Sequence, residues 1–74
     1  MIEPLGDGTY IIASKRMLKE EVRQVVLRLR PVSSLPFEVA ERRPGDRDPE
    51  QFQNPFYYDR LMPAARDLLV RDGR

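Results

Sequence analysis

Seventy-four residues with a formal net charge of +1, seven prolines and neither cysteine nor histidine provide material for one small domain. Disulfides are excluded, as are the usual His- and Cys-based zinc sites and nucleophile–histidine pairs. We therefore predict no catalytic residue, no metal site and no cofactor, and a chain that is not an enzyme. A small core without disulfides or a bound metal also predicts marginal stability for the isolated chain, which favours association with a partner.

The N-terminal part predicts a turn followed by a strand. Gly6 and Gly8 suit a turn, and the short apolar, β-branched run behind them predicts a strand over residues 9–13. The N-terminus carries an acidic residue where a signal peptide carries basic ones, and no apolar run reaches the length of a membrane span. These features predict a cytoplasmic chain, or one within an intracellularly assembled particle, with no membrane contact.

The next stretch, KRMLKEEVRQVVLRLR, predicts an amphipathic helix over residues 15–30, with Ser14 as its N-cap and Pro31 at its end. An alternative is a strand over residues 22–32, because VVLRLRPV also alternates apolar and basic residues. The stretch KEE has no turn chemistry to close a hairpin, which favours the helix. At 100° per residue the apolar side chains form one narrow stripe, which consists of Leu18, Val22, Val25, Val26 and Leu29.

Prolines dominate the middle of the chain, at positions 31, 36, 44, 49 and 55. Proline removes backbone donors and keeps the preceding residue extended, so we predict a long Pro-rich extended segment over residues 31–54, with FEVAE as a possible short strand. Asp46, Asp48 and Glu50 alternate as in a calcium loop, but Pro49 interrupts them and no acidic residue occupies the twelfth loop position. No metal is expected there.

The C-terminal part predicts a second amphipathic helix over residues 55–72, with Asn54 as N-cap and Gly73 as terminator. Pro63 in its interior predicts a kink. The predicted inward face contains Tyr57, Tyr58, Leu61, Met62, Ala64, Ala65, Leu68 and Leu69.

Together these elements predict an α+β fold. It is a single small domain, residues 1–74, with a short N-terminal strand, two amphipathic helices and a long Pro-rich extended segment between the helices.

A basic row on the first predicted helix is one candidate partner-binding site. Arg16, Arg23 and Arg30 recur every seven residues and lie with Lys19 beside the apolar stripe. Guanidinium groups bind phosphates or carboxylates through paired hydrogen bonds. The alternative is that the arginine stems only flank a buried stripe while their charged ends stay in water.

Two aromatic residues, Phe52 and Phe56, are the other candidate partner-binding site. Neither belongs to the predicted inward face of the second helix, and aromatic rings often anchor interfaces. Pro49 and Pro55 restrict the flanking backbone, which lowers the entropy lost on docking. The alternative is that both rings pack within the chain, Phe52 as a hydrophobic staple and Phe56 beneath the first helix.

The sequence does not define a biochemical function. We expect a non-catalytic accessory or structural subunit, without a small-molecule substrate, docked on a larger multi-subunit assembly such as an enzyme complex or a viral particle. The alternative is a small regulator that binds nucleic acid, or a nucleic-acid-processing enzyme, through the basic helix face. A net charge of +1 disfavours nucleic acid as the main partner, because such affinity depends on neutralising several phosphates.

Overall fold

A computed structural model describes residues 2–17 and 23–71, and in these ranges it contains one antiparallel sheet and one α-helix. The five strands lie in the sheet in chain order, so each packs beside its sequence neighbour. The elements are β1 (Glu3–Pro4), β2 (Tyr10–Arg16), β3 (Gln24–Leu29), β4 (Phe37–Arg42), a short 3-10 helix (Pro49–Gln51), β5 (Gln53–Tyr58) and α1 (Leu61–Val70).

The predicted helix over residues 15–30 is wrong, and the strand alternative for residues 22–32 is correct for residues 24–29. Residues 10–16 form β2 and residues 24–29 form β3, which pair antiparallel. Val25, Val26 and Leu27 are all buried because both faces of β3 are covered. A strand buried on both faces has a continuous apolar run, and this run also projects onto one helical stripe. The predicted strand at 9–13 falls largely within β2, and residues 18–22 lie outside the described ranges.

One face of the sheet is covered by α1. Alternation along the strands directs Val25 and Leu27 of β3 and Val39 of β4 to this face. Ala64 and Leu68 of α1 pack against them. Ala64 is fully buried, and its small side chain allows the helix backbone to lie close to the sheet.

The other face of the sheet is covered by chain that is mostly irregular. Val26 of β3 and Ala40 of β4 lie on this side, and Leu5 and Phe52 from the flanking segments pack on them together with Ile11. The domain therefore has two small cores separated by one sheet.

The predicted irregular segment over residues 31–54 contains the well-buried strand β4 and is therefore wrong in its central part. All four prolines of this segment, at 31, 36, 44 and 49, lie outside the strands. They lie in the connections before and after β4, as expected for residues that have no backbone donor. The possible strand at FEVAE was correct in kind.

The predicted kinked helix over residues 55–72 is also wrong in its first turns. Residues 53–58 form the edge strand β5, and α1 begins only at Leu61. Asn54 is not an N-cap, because it lies within β5 with a φ of 53°. Pro63 lies in the first turn of α1, where backbone N–H groups have no intrahelical partner. The helix therefore accommodates this proline without the predicted kink.

Both outer strands of the sheet carry a proline, Pro4 in β1 and Pro55 in β5. Proline removes a donor from an exposed sheet edge and discourages the addition of another strand. Strand addition at these two edges is therefore disfavoured. Within the described residues, α1 is the longest helix, and none is long and apolar enough to cross a membrane.

Candidate protein-binding face

Helix α1 is apolar on its outer side as well as on its inner side. Met62 is 70 % exposed, Leu69 71 % and Val70 48 %, while Ala64 and Leu68 are buried. At 100° per residue these three exposed side chains lie within about 100° of arc, with Arg66 among them. We call Met62, Arg66, Leu69 and Val70 the outer face of α1.

Polar contacts at the margins hold α1 on the sheet. The Tyr58 hydroxyl donates to Asp67 Oδ2 at 2.7 Å, and Arg71, which follows α1, donates from Nη1 to the carbonyl oxygen of Asn54 in β5 at 2.8 Å. On another side, Lys15 Nζ donates to the carbonyl oxygen of Leu69 at 2.7 Å. Because α1 is attached to strands on both sides, its outer face is a fixed surface.

Tyr58 of β5 is partly buried where α1 packs against the sheet. Desolvation by burial, followed by the hydrogen bond to the Asp67 carboxylate, raises the pKa of the Tyr58 hydroxyl above its usual value of 10.0. This hydroxyl stays protonated at neutral pH and remains a donor to α1.

Arg66 is the charged residue within the outer face of α1. Its neighbours three and four positions away are Met62, Pro63, Leu69 and Val70, and none of these is acidic. Within residues 2–17 and 23–71, no carboxylate forms an ion pair with Arg66. The outer face thus combines apolar surface with one cation that this part of the chain does not neutralise.

Phe56, one of the predicted anchors, lies in β5 on the side of the sheet that α1 covers. It pairs in register with Val39, its side chain is 63 % exposed, and the Arg71 guanidinium lies over its ring at 5.4 Å from the centroid. Phe56 is therefore an exposed ring on the same side of the sheet as α1. Phe52, the other predicted anchor, is buried in the core on the opposite face and is not an exposed anchor.

The predicted basic row does not form one surface, because the helix on which it depended is absent. Arg16 and Arg30 lie on the same side of the sheet, but about six strand residues, roughly 20 Å, separate them. Arg23 is on the opposite side, next to Gln53 and Glu41, and Arg30 lies over the Tyr57 ring at 4.7 Å. Lys19 lies outside the described residues.

A polar network occupies the side of the sheet that faces away from α1. Arg28 of β3 and Glu38 of β4 are register partners and form an ion pair at 2.5 Å. Beside them is an open groove of about 590 Å³, lined by Asp7, Arg28, Glu38, Asp48, Pro49, Glu50, Phe52, Pro55 and Tyr57. All buried polar side-chain atoms of the described residues have hydrogen-bond partners, so the network is a satisfied structural element.

Arg42 of β4 forms hydrogen bonds that connect its strand with β1, with β3 and with the segment that follows β4. Its guanidinium donates to Glu3 Oε1 at 2.9 Å, to Gln24 Oε1 at 2.7 Å and to the Asp46 carbonyl oxygen at 2.6 Å. The hydrogen bonds from Arg42 hold the pKa of Glu3 below its usual value of 4.5. A similar shift occurs at Asp7, where the hydrogen bond from the Thr9 hydroxyl lowers the pKa of the carboxyl.

The lowered pKa of Glu3 predicts an acid-sensitive contribution to stability. A carboxyl whose pKa is depressed by folding stabilises the protein above its unfolded pKa, and this contribution is lost as the pH falls through the folded pKa. Glu3→Gln should therefore be less stable than wild type at about pH 7, and the difference should shrink at about pH 3. Urea denaturation of both proteins at the two pH values measures this, and a difference independent of pH would contradict it.

Among the described residues no three His, Cys, Asp or Glu side chains are arranged to hold a metal ion. Comparisons of the chain with protein-family models, curated proteins and solved structures gave no match. The outer face of α1 was missed at the sequence level because a helix over residues 55–72 placed Met62 and Leu69 inward. Pro63 was the available signal, since proline prefers the first turn and so indicates a helix that begins near residue 61.

Proposed function

We propose that this protein is a non-catalytic accessory or structural subunit that docks on a larger multi-subunit assembly, such as an enzyme complex or a viral particle, through the outer face of α1. The observation that carries the proposal is the exposure of Met62, Leu69 and Val70 in one stripe of a helix. Single exposed apolar residues are ordinary on protein surfaces, whereas a contiguous apolar patch often marks a binding site.

The way α1 is held supports this proposal. The contacts of Tyr58 and Lys15 with α1, and those of Arg71 at its C-terminal end with Asn54 and Glu41, fix the helix before any partner arrives. A fixed surface loses less conformational entropy on binding than a flexible one, so a modest apolar area gives useful affinity. Phe56 adds an exposed aromatic ring on the side of the sheet that carries α1. We place the protein in the cytoplasm, or in a particle that assembles inside the cell.

The alternative, a regulator that binds nucleic acid through its basic residues, has less support. Arg23 contacts a carboxylate and Arg30 an aromatic ring, and the two are on opposite sides of the sheet. A nucleic-acid site gains its affinity from several cations that reach adjacent phosphates. The outer face of α1 provides one cation, Arg66, surrounded by apolar side chains.

The test is co-purification from the native source with two matched single substitutions. Leu69→Gln places a neutral polar group on the outer face, and Val32→Gln makes a comparable change at an exposed apolar residue in the β3–β4 connection. We expect wild type and Val32→Gln to retain the same partner proteins, identified by mass spectrometry, and Leu69→Gln to lose them. Equal retention by all three proteins would refute the proposed face.

A further inference from the structure

We infer that the surface which covers the outer face of α1 belongs to a different protein, and that it presents apolar side chains around a carboxylate that pairs with Arg66. The inference rests on the proposed function and specifies the chemistry of the partner. It follows from the position of Arg66 and from the surroundings of that residue.

Arg66 is covered together with the apolar residues of the outer face when a partner binds there. Met62 and Val70 are one turn to either side of Arg66, and Leu69 lies beside it, so any partner that contacts these apolar groups also covers the guanidinium. A covered cation without a partner is costly, because it loses its hydration. Within the described residues no acidic side chain pairs with Arg66, so we infer that the carboxylate comes from the partner.

Of the acidic residues in the described part of the chain, the two nearest to Arg66 in sequence are Asp67, which is already hydrogen-bonded, and Asp59, which lies before the helix. Asp67 accepts hydrogen bonds from Tyr58 and Arg71 on the sheet side of α1. Asp59 precedes the helix, outside the turns that carry the outer face. Arg71 itself forms ion pairs with Asp67 and Glu41, so its charge is compensated within the chain. Arg66 thus differs from Arg71.

A second copy of the chain is a poor occupant of this face. Arg66 lies midway between Met62 and Val70, which are the ends of the exposed stripe. Two-fold packing of this stripe against its own copy brings equivalent central residues together, and so places two Arg66 side chains near the symmetry axis. Like charges in a desolvated contact are destabilising, whereas a carboxylate opposite Arg66 forms two parallel hydrogen bonds.

The dimensions of the face define the size of the complementary element. From Met62 to Val70 the helix rises by about 12 Å, at 1.5 Å per residue. About two turns of a partner helix cover this length, with apolar residues at spacings of three and four and an acidic residue between them. This pattern is a recognisable sequence signature in a candidate partner.

The experiment uses a phage-displayed library of helical peptides, randomised at their exposed positions and selected on the full wild-type chain. We expect the selected peptides to carry apolar residues at helical spacing with at least one Asp or Glu. Peptide affinity is then measured for wild type, Leu69→Gln, Arg66→Glu and Arg16→Glu. Arg16→Glu is the matched control, because it makes the same change of charge on the opposite side of the sheet, at an exposed residue.

The expected result is a loss of affinity of about tenfold or more for both Leu69→Gln and Arg66→Glu, and a change of no more than about twofold for Arg16→Glu. Peptides that depend on Leu69 but lack carboxylates and bind Arg66→Glu normally would refute the inference and leave the proposed function standing. Failure to select any peptide that depends on Leu69 would refute the proposed function itself.

Sedimentation of the wild-type chain tests the second copy as occupant. We expect a monomer at micromolar concentrations. A dimer that Leu69→Gln converts to monomer would show that the outer face binds its own copy, and would overturn the inference.

Discussion

Replacement of Arg28 by methionine should lower the free energy of unfolding by about 3 kcal/mol, because it leaves the carboxylate of Glu38 buried without its cation. The Arg28 side chain is 12 % exposed and that of Glu38 only 3 %. Arg28 also donates to the Thr9 hydroxyl at 3.0 Å, so the substitution removes a second contact to the turn before β2. Urea denaturation of wild type and Arg28→Met at neutral pH measures the loss.

The control for this prediction is the double variant Arg28→Met/Glu38→Leu. It replaces the buried pair by apolar side chains and leaves no unpaired charge, so it should regain most of the lost stability. If Arg28→Met costs less than about 1 kcal/mol, the pair behaves like a solvated surface ion pair, and the network on this side of the sheet is not a structural core.

Leucine-to-alanine substitutions beneath α1 and on the outer face of α1 should differ strongly in their effect on the free energy of unfolding. Leu27 of β3 is 2 % exposed and packs in the core beneath α1, so Leu27→Ala should cost about 3 kcal/mol of unfolding free energy. Leu69 is 71 % exposed, so Leu69→Ala should change stability by less than about 0.5 kcal/mol. The two variants are compared with wild type by urea denaturation.

This comparison separates the inner and outer faces of α1. A small loss for Leu69→Ala leaves the residue available for a partner and gives the outer face no role in the chain's own stability. A loss near that of Leu27→Ala would show that Leu69 packs within the chain, and the proposed docking face would then be part of a core.

The strand at residues 24–29 shows why the sequence alone did not give this fold. The run VVLRL fits a strand buried on both faces, and it also fits one stripe of a helix, so local periodicity did not decide between them. What decides is the covering of β3 from both sides, by α1 and by Phe52 with Leu5. Those contacts are distant in sequence, and tertiary packing routinely overrides local helix propensity.

The candidate site could be predicted in part. Phe56 was identified as a ring without a place in the core, and it is exposed at the edge strand β5. Phe52 had the same sequence character but is buried, because the short turn at Pro49–Gln51 returns the chain onto the sheet. The outer face of α1 could be predicted only if the first residue of the helix was known. A shift of the start from residue 55 to Leu61 removes two turns and exposes residues assigned to the core.

The most direct test of the central claim is the dissociation constant of the complex for Leu69→Gln and Val32→Gln, measured by titration calorimetry against the partner recovered from the native source. Both variants should unfold at the same urea concentration as wild type, since both replaced side chains are exposed. If the outer face of α1 is the docking surface, Leu69→Gln should bind at least about tenfold more weakly, a loss of about 1.4 kcal/mol, while Val32→Gln binds as wild type does. Equal affinities for the two variants would contradict the claim.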